Sequence, residues 1–142
     1  MKVKEIMSKD IASVNAEDCV QKAARIMKDH DIGSVPVCCD GKIAGIVTDR
    51  DIAVRTTAEG RDSKQQKVKE IMSTSPATGS PEMDVHDAAR IMSQKQIRRL
   101  PIIENNSIVG VVSLCDISTE PTLKDNAGEA LNNISQPGHA RM

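Results

Sequence analysis

One pattern of eight residues occurs twice in this chain, and it decides how the rest of the sequence is interpreted. It reads GIVTDRDI at residues 45–52 and GVVSLCDI at residues 110–117. In both stretches an apolar run that carries a glycine is followed by Thr or Ser and, three residues later, by Asp. An apolar run of this length is typical of a buried strand, and a hydroxyl residue is typical of the position before a helix. The pattern therefore predicts a strand that passes directly into a helix.

The pattern belongs to a longer internal repeat. Residues 3–54 align with residues 68–119 without a gap at a constant offset of 68 − 3 = 65, and 21 of the 52 aligned pairs are identical. The hexapeptide VKEIMS occurs in full at both 3–8 and 68–73. A copy of this size buries little core by itself. We therefore expect the two copies to pack together.

Each copy predicts the same order of elements, β-α-β-β-α, which corresponds to the α+β fold class. Apolar residues recur at helical spacing and predict one helix of about three turns in each copy. We expect Asn15 to cap the first of these helices, and Ser80 followed by Pro81 to start the second. The two apolar stripes consist of Val20, Ala23, Ala24 and Met27, and of Val85, Ala88, Ala89 and Met92.

A hairpin is predicted in the second half of each copy. Asp40-Gly41 and Asn105-Asn106 each separate two apolar runs. Residues of these types tolerate the positive φ that two-residue hairpin turns require. A final helix is expected after Thr48 in the first copy and after Ser113 in the second.

The repeats define the expected domain boundaries. The first repeat is assigned to residues 1–60, a polar linker to 61–67, and the second repeat to 68–120. Residues 121–142 are expected to form a C-terminal helix and a flexible tail. We expect Leu131 and Ile134 to dock this helix onto the body of the protein.

The composition argues against several function classes. Lys and Arg number 19 against 20 Asp and Glu, and the chain has no aromatic residue. The net charge of -1 supplies no field for nucleic acid or anionic lipid, and no ring is available to stack on a base. No apolar run approaches the roughly 18 residues of a membrane span, and none follows Met1 as in a secretory signal. We therefore expect a cytoplasmic protein without a nucleic-acid or membrane partner.

Catalytic and metal-binding patterns are not apparent in the sequence. The four cysteines, at positions 19, 38, 39 and 115, lack C-x-x-C spacing, and reduced thiols without a metal are the expected state. His30, His86 and His139 are scattered, and no metalloprotease, hydrolase or Walker motif occurs. The expected function is therefore not an enzymatic one.

The repeated β-α-β-β-α order, the hairpins opened by Pro36 and Pro101, and the segments at 45–52 and 110–117 resemble the cystathionine-beta-synthase (CBS) domain pair. The resemblance implies tandem CBS repeats packed through their sheets about a pseudo-twofold axis, with two equivalent clefts between them. It also implies an adenosine-containing regulatory ligand such as AMP, ADP, ATP, S-adenosylmethionine or NAD(H). No required cofactor is implied.

The nucleotide signature of the family is Gly, two apolar residues, Ser or Thr, any two residues, then Asp; residues 45–51 and 110–116 match it. The resemblance makes Thr48 and Ser113 phosphate-side residues, and Asp51 and Asp116 ribose-side residues. A hydroxyl at a helix start is suited to phosphate, and a carboxylate accepts hydrogen bonds from ribose hydroxyls. The same Thr/Ser-x-x-Asp spacing is also that of a capping box, which satisfies backbone donors and needs no ligand. The two roles are compatible.

Three arginines are candidate phosphate contacts. Arg98 and Arg99 stand where the first copy has Gly33 and Ser34. In the family this position reaches the phosphate in the cleft of the opposite repeat, which predicts unequal sites, the one at Thr48 and Asp51 gaining guanidinium contacts. Arg50 is a further candidate for that site, although a solvated surface position explains it equally well.

The purine edge is expected near Ile11-Ala12 and Pro76-Ala77, where the family usually contacts it through backbone groups. Because the chain lacks aromatic residues, aliphatic side chains would enclose the base.

Two functions from different classes follow. The first is a ligand-sensing regulatory module that binds an adenosyl ligand and signals to an unknown effector protein in trans. The alternative is a ligand-free scaffold that acts by protein–protein interaction. A homodimer is expected in either case, through the exposed sides of the helices that carry Ile26 and Ile91.

Overall fold

The structure is a computed structural model that describes residues 1–120 and 124–136. Each repeat contains a short strand, a helix, an antiparallel hairpin and a second helix, in that order. The predicted α+β class and the tandem β-α-β-β-α order are therefore confirmed. None of the helices in the described part has the length and apolar character that crossing a membrane requires.

The elements of the first repeat begin with a short 3-10 helix and end with a helix that widens into a π-helical turn. They are the 3-10 helix Val3–Glu5, β1 (Val14–Asn15), α1 (Val20–His30), β2 (Ser34–Cys39), β3 (Lys42–Thr48), α2 (Asp49–Ile52) and the π-helical turn Ala53–Thr57.

The second repeat follows the same plan and adds one helix at its end. Its elements are the 3-10 helix Val68–Glu70, β4 (Ser73–Thr74), α3 (Val85–Lys95), β5 (Arg99–Glu104), β6 (Ser107–Ser113), α4 (Leu114–Ser118) and α5 (Lys124–Ile134).

Two compact units are present, and they cut across the two repeats. The central unit consists of Ala12–Pro76, and the terminal unit consists of Met1–Ile11 with the described part of Ala77–Met142. The hexapeptide VKEIMS at 3–8 therefore packs on the second repeat, and its copy at 68–73 packs on the first. We call these two stretches the crossed segments.

Backbone hydrogen bonds attach each crossed segment to its unit. In the terminal unit the N–H of Val3 donates to the carbonyl of Met83 at 2.8 Å, and Ser8 exchanges two hydrogen bonds with Val111 at 2.8 and 2.9 Å. In the central unit the N–H of Val68 donates to the carbonyl of Asp18 at 2.8 Å. Val3 and Val68 are completely buried, and each fully buried valine contributes about 1.5–3 kcal/mol to folding.

The two sheets share one arrangement. In the central unit the strand order is β1-β2-β3-β4, with β1 parallel to β2 and the other neighbours antiparallel. In the terminal unit β5 pairs with β6. Single bridges from Gly79 to Ile102 and from Ser8 to Val111 take the places that β1 and β4 occupy in the central unit.

The hairpin turns have the predicted geometry. Asp40 and Gly41 have φ of 52° and 77°, and Asn105 and Asn106 have φ of 52° and 67°. A positive φ at both central residues is the feature that matches a two-residue turn to the twist of its strands. The hairpins predicted from the sequence are therefore confirmed.

Each unit has its own apolar core beneath the hairpin. The predicted stripe of α1, apart from the half-buried Ala24, packs with the inward residues of β2 and β3, and that of α3 packs with those of β5 and β6. The central core includes Val20, Ala23, Met27, Val35, Val37, Val47, Val68 and Ile71; the terminal core includes Val3, Val85, Ala88, Met92, Leu100, Ile102, Val112 and Ile117.

Both helices of the stripes begin later than predicted. Asn15 and Ser80 are not N-caps and Pro81 does not open a helix; the N-caps are Cys19 and Asp84, four residues further on in each repeat. The residues between form a turn, in which Asn15 accepts a hydrogen bond from the N–H of Glu17 at 3.0 Å.

The backbone just before each crossed segment explains the late starts. The N–H of Val20 donates to the carbonyl of Gln66 at 2.9 Å, and the N–H of Val85 donates to the carbonyl of Met1 at 3.0 Å. The first backbone donors of a helix have no partner within it. Because these partners lie far away in the sequence, the local pattern did not indicate them.

The C-terminal helix docks through a different face than predicted. Ile134 is 3% exposed, as expected, but Leu131 is 46% exposed, so its predicted docking is wrong. Ala127 and Ala130 are buried instead, because they and Ile134 recur at helical spacing on the face toward α3 and α4. Residues 121–123, and the tail from 137 onward for which flexibility was predicted, lie outside the described residues.

Gly45 and Gly110 allow the crossed segments to approach the sheet. A Cβ atom on Gly45 would overlap the backbone carbonyl oxygen of Ser73. On Gly110 it would lie 2.5 Å from Sδ of Met7 and 3.1 Å from the carbonyl oxygen of Ser8. The signature glycines therefore have a structural role that needs no ligand.

We expect Gly45→Ala to lower the free energy of unfolding by about 2–3 kcal/mol, because backbone must move to relieve the overlap. Gly110→Ala should cost less, about 1 kcal/mol, because the Met7 thioether adapts easily. Gly128→Ala in α5 is the control, since nothing lies within 4 Å of its Cβ position and alanine favours a helix. Urea unfolding of the three variants measures their free energies of unfolding. Equal decreases for Gly45→Ala and Gly110→Ala would contradict the prediction.

Ion pairs reinforce the crossed segments symmetrically. Lys2 and Lys4 contact Glu82 at 2.5 and 2.8 Å, and the equivalent Lys67 and Lys69 contact Glu17 at 2.6 and 2.7 Å. The hydrogen bond from Lys67, followed by that from Lys69, lowers the pKa of Glu17 to about 2. The bonds from Lys2 and Lys4 lower the pKa of Glu82 to about 2 in the same way.

These shifts predict a loss of stability in acid. A carboxylate whose pKa is lowered on folding stabilises the protein above its ordinary pKa of 4.5, and this contribution disappears as the pH falls toward about 2. The melting temperature of the double variant Glu17→Gln, Glu82→Gln should therefore fall less than that of the wild type between about pH 6 and pH 3. Glu59→Gln is the control, since Glu59 has no ion pair among the described side chains. If the melting temperatures of the wild type and the double variant fall equally over this pH range, the prediction is refuted.

Candidate functional site

Thr48 and Asp51 form a reciprocal pair at the junction of β3 and α2. The N–H of Asp51 donates to Oγ1 of Thr48 at 3.1 Å, and the N–H of Thr48 donates to Oδ2 of Asp51 at 2.9 Å. Thr48 is extended, with φ -117° and ψ 162°, so the strand ends directly at the helix cap. This is the capping-box geometry that the spacing predicted.

Ser113 and Asp116 repeat this geometry at the junction of β6 and α4. The two hydrogen bonds measure 3.1 Å from Asp116 N–H to Ser113 Oγ and 2.8 Å from Ser113 N–H to Asp116 Oδ2. The backbone of Ser113, at φ -117° and ψ 163°, matches that of Thr48 closely. The two signatures therefore fold to the same local structure although their intervening residues differ.

Each capping box uses only part of its polar capacity. Among the described residues, the hydroxyl hydrogen of Thr48 and Oδ1 of Asp51 have no hydrogen-bond partner, and the same holds for Ser113 and Asp116. The Asp51 side chain as a whole is 15% exposed. Each pair therefore leaves one hydroxyl donor and one carboxylate acceptor unused among the described residues, and Thr48 is itself only 5% exposed.

The candidate arginines are distributed over both units. Arg50 follows the cap in α2 of the central unit and is exposed. Arg98 and Arg99 belong to the terminal unit, where Arg99 pairs with Ser113 across β5 and β6. Cross-strand partners project from the same face of a sheet, so Arg99 neighbours the hydroxyl of its own repeat. Its contact with a ligand at Thr48 and Asp51 stays a prediction.

The residues predicted at the purine edge lie at the boundaries of the units. Ala12 opens the central unit and Pro76 closes it, whereas Ile11 and Ala77 belong to the terminal unit. All four are partly exposed. Ala12 is two residues before β1, which pairs with β2 in the same sheet that carries Thr48.

Arg55 was not identified from the sequence. It lies in the π-helical turn after α2, where its Nε is 4.0 Å from Oδ1 of Asp51. Its Nη1 donates to the carbonyl of Ile71 at 3.2 Å. The sequence signal that could have identified Arg55 is its i, i+4 spacing from Asp51 on one helical stretch.

The residues predicted to form the linker also contribute structure. Gln66 of the linker is 4% exposed, and Thr56 of the π-helical turn, which is 1% exposed, donates from its hydroxyl to Oε1 of Gln66 at 2.6 Å. Nε2 of Gln66 donates to the carbonyl of Arg55 at 3.4 Å. The end of the linker is therefore packed against the π-helical turn.

The cysteines do not gather into a cluster in the described part of the chain. Burial raises the pKa of the Cys38 thiol, against an opposing hydrogen bond with the Ser13 side chain, while Cys39 and Cys115 are exposed. Among the described residues, no three His, Cys, Asp or Glu side chains come close enough to hold a metal ion. Cys115 occupies the signature position that Arg50 holds in the first repeat.

A groove of about 270 Å³ lies between α3 and α5 in the terminal unit. None of the signature residues lines it. Its lining consists of His86, Ala89, Arg90, Ser93, Glu129 and Ala130.

Known proteins are similar to this chain in sequence and in fold. The chain is 47% identical to the CBS domain-containing protein YhcV of Bacillus subtilis over 133 residues, which are 94% of each chain. It is 30% identical to hypoxic response protein 1 of Mycobacterium tuberculosis over 116 residues, which are 81% of each chain.

A solved structure described as the CBS domain pair of protein MJ0100, in complex with 5′-methylthioadenosine and S-adenosyl-L-methionine, superposes with a TM-score of 0.73 at 30% identity. The match covers 84% of this chain and 94% of that one. A family model described as the CBS domain matches residues 3–55 and again residues 68–121. With both repeats matched, the chain belongs to the CBS-domain family and carries two such domains in tandem.

Proposed function

We propose that this protein is a regulatory module that binds an adenosine-containing ligand at one or both of its signature sites. The candidate ligands are AMP, ADP, ATP, S-adenosylmethionine and NAD(H). Thr48 and Ser113 contact the phosphate, or another polar 5′ group, of the ligand. Asp51 and Asp116 contact its ribose. The ligand acts as a signal, and no reaction is assigned to the protein.

One observation carries the proposal: both repeats hold a hydroxyl donor and a carboxylate acceptor in the same geometry and leave one atom of each unused. A cap alone requires only the two bonds that are present. An unused carboxylate oxygen accepts from a ribose hydroxyl, and an unused hydroxyl hydrogen donates to an anionic oxygen. A ribose that carries a phosphate or another polar 5′ group supplies both partners.

The ligand class is supported by a similar solved structure that contains bound ligands. The CBS domain pair of MJ0100 is described in complex with S-adenosyl-L-methionine and 5′-methylthioadenosine, which share an adenosine with a sulfur at its 5′ position. In this chain the absence of aromatic residues leaves aliphatic side chains to enclose the base. Ile11, Ala12, Pro76 and Ala77 are proposed for that purine contact, and Arg50, Arg98 and Arg99 for the phosphate.

The signal passes to another protein in this proposal. We expect a homodimer, and a solved CBS-CP12 protein of cyanobacteria, 29% identical over 88% of this chain, is described as hexameric. Ligand binding changes the association of such an assembly only if its affinity differs between two arrangements. The effector protein is not defined by the sequence or by the relatives.

A ligand-free scaffold is the second candidate, because the capping boxes are complete without a ligand. Since Thr48 and Asp51 satisfy each other's backbone donors, a cap is sufficient to explain their presence. The same is true of Ser113 and Asp116. Measurement of binding separates the two candidates.

We expect saturable binding of at least one ligand when AMP, ADP, ATP, S-adenosylmethionine and NADH are titrated into the protein by calorimetry. Asp51→Asn and Asp116→Asn should each weaken binding at their own site by about 10-fold or more, since a charged acceptor for ribose is lost. Asparagine keeps an oxygen for the cap. Asp49→Asn is the matched control, since Asp49 is an exposed carboxylate in the same turn outside the capping box.

Binding also raises the melting temperature, because a ligand that binds only the folded state stabilises it. If none of the five compounds binds, the scaffold is the better interpretation. Binding that survives both Asp→Asn substitutions would place the ligand elsewhere on the protein.

A further inference from the structure

Arg55 distinguishes the two signature sites. Its guanidinium lies on the same helical stretch as Asp51, and Nε is 4.0 Å from Oδ1 of that residue. That oxygen is the one the capping box leaves unused, since Oδ2 accepts from the N–H of Thr48. A cationic donor therefore stands beside the proposed ribose acceptor in the central unit.

The position of Arg55 is held from two sides. Its Nη1 donates to the carbonyl of Ile71 at 3.2 Å, and its own carbonyl accepts from Nε2 of the buried Gln66 at 3.4 Å. Arg55 is the central residue of the π-helical turn Ala53–Thr57. The side chain is nevertheless 53% exposed, so part of the guanidinium is open to solvent and to a ligand.

The 4.0 Å between Nε and Oδ1 is too long for a direct hydrogen bond. A hydroxyl group fits such a pair, because it donates its hydrogen to the carboxylate and accepts from the N–H of the guanidinium. A sugar hydroxyl satisfies both groups at once, whereas a hydrogen atom in its place satisfies neither.

The second repeat lacks this arrangement. The position equivalent to Arg55, at 55 + 65 = 120, is Glu120. Its α4 ends at Ser118, and the N–H of Glu120 donates to the carbonyl of Ile117 at 3.1 Å. Asp116 therefore has a carboxylate, and no guanidinium, four residues further along the chain.

We propose that Arg55 is a specificity-determining residue of the Thr48–Asp51 site, where it recognises one hydroxyl of the ribose together with Asp51. This proposal rests on the function proposed above and adds a difference between the two sites. The central site discriminates a ribose from a deoxyribose more strongly than the terminal site does. Arg55 is absent from the family signature at 45–51, so the signature by itself does not predict the difference.

The test isolates one site at a time. In an Asp116→Asn background, AMP is compared with 2′-deoxy-AMP and 3′-deoxy-AMP by calorimetry, with and without Arg55→Gln. We expect one of the deoxy analogues to bind about 10-fold more weakly than AMP, and Arg55→Gln to reduce that ratio to about 3-fold, since a charge-assisted hydrogen bond is lost. Arg55→Lys should restore only part of the discrimination, because a lysine lacks the fixed geometry of the guanidinium.

Two controls separate recognition from folding. In an Asp51→Asn background, which reports the terminal site, Arg55→Gln should leave the AMP to deoxy-AMP ratio unchanged. Arg61→Gln, which removes an exposed ion pair with Glu70, should change the ratio in neither background. Melting temperatures identify any general loss of structure.

The outcomes are distinct. If AMP binds and Arg55→Gln leaves the ratio unchanged in the Asp116→Asn background, Arg55 serves only as an ion-pair partner of Asp51 and the proposal is overturned while the proposed function stands. If the Asp116→Asn protein does not bind AMP, the proposal is overturned whether or not another adenosyl compound binds. If none of the five compounds binds the wild type, both proposals fail together.

Discussion

The crossed docking of the two VKEIMS segments is the interaction on which the rest of the structure depends. Each segment supplies a buried valine and an edge partner for the hairpin strand that carries the signature. The residue two positions before each segment supplies a backbone acceptor for the first turn of the stripe helix. The carbonyl of Ser73 approaches the sheet so closely that only glycine fits at position 45. Lys4 and Lys69 of the segments, together with Lys2 and Lys67 directly before them, also reach Glu82 and Glu17, and so hold the turns that precede α3 and α1.

Because the segments dock so closely on the sheet, the residues of the signature have two different roles. The glycine belongs to the docking of the segment, whereas the hydroxyl and the carboxylate close the cap and leave polar atoms unused. A duplicated motif therefore remains recognisable in both repeats even if the ligand contacts of the two sites differ. Arg55 and Glu120, which lie just beyond the motif, are equivalent positions at which the two repeats carry opposite charges.

Much of the fold was predictable because its determinants are local. The apolar stripes of α1 and α3, and the positive-φ residues of the two turns, follow from preferences that act within a few residues. The predicted helix starts at Asn15 and Ser80 were wrong because the competing interactions are not local. The face of α5 was misjudged at Leu131, since two alanines of low hydrophobicity make the contact and a longer side chain remains in solvent.

The sequence by itself determined the duplication, the types and order of the elements, the turn positions and the chemical identity of the signature groups. These are properties of spacing and residue type, which act between near neighbours. Only the tertiary structure decided which repeat each hexapeptide packs on, where the helices begin and which cation stands beside Asp51. The physical reason is that such choices depend on partners distant in the chain, as with Lys2 and Glu82, which are 80 residues apart.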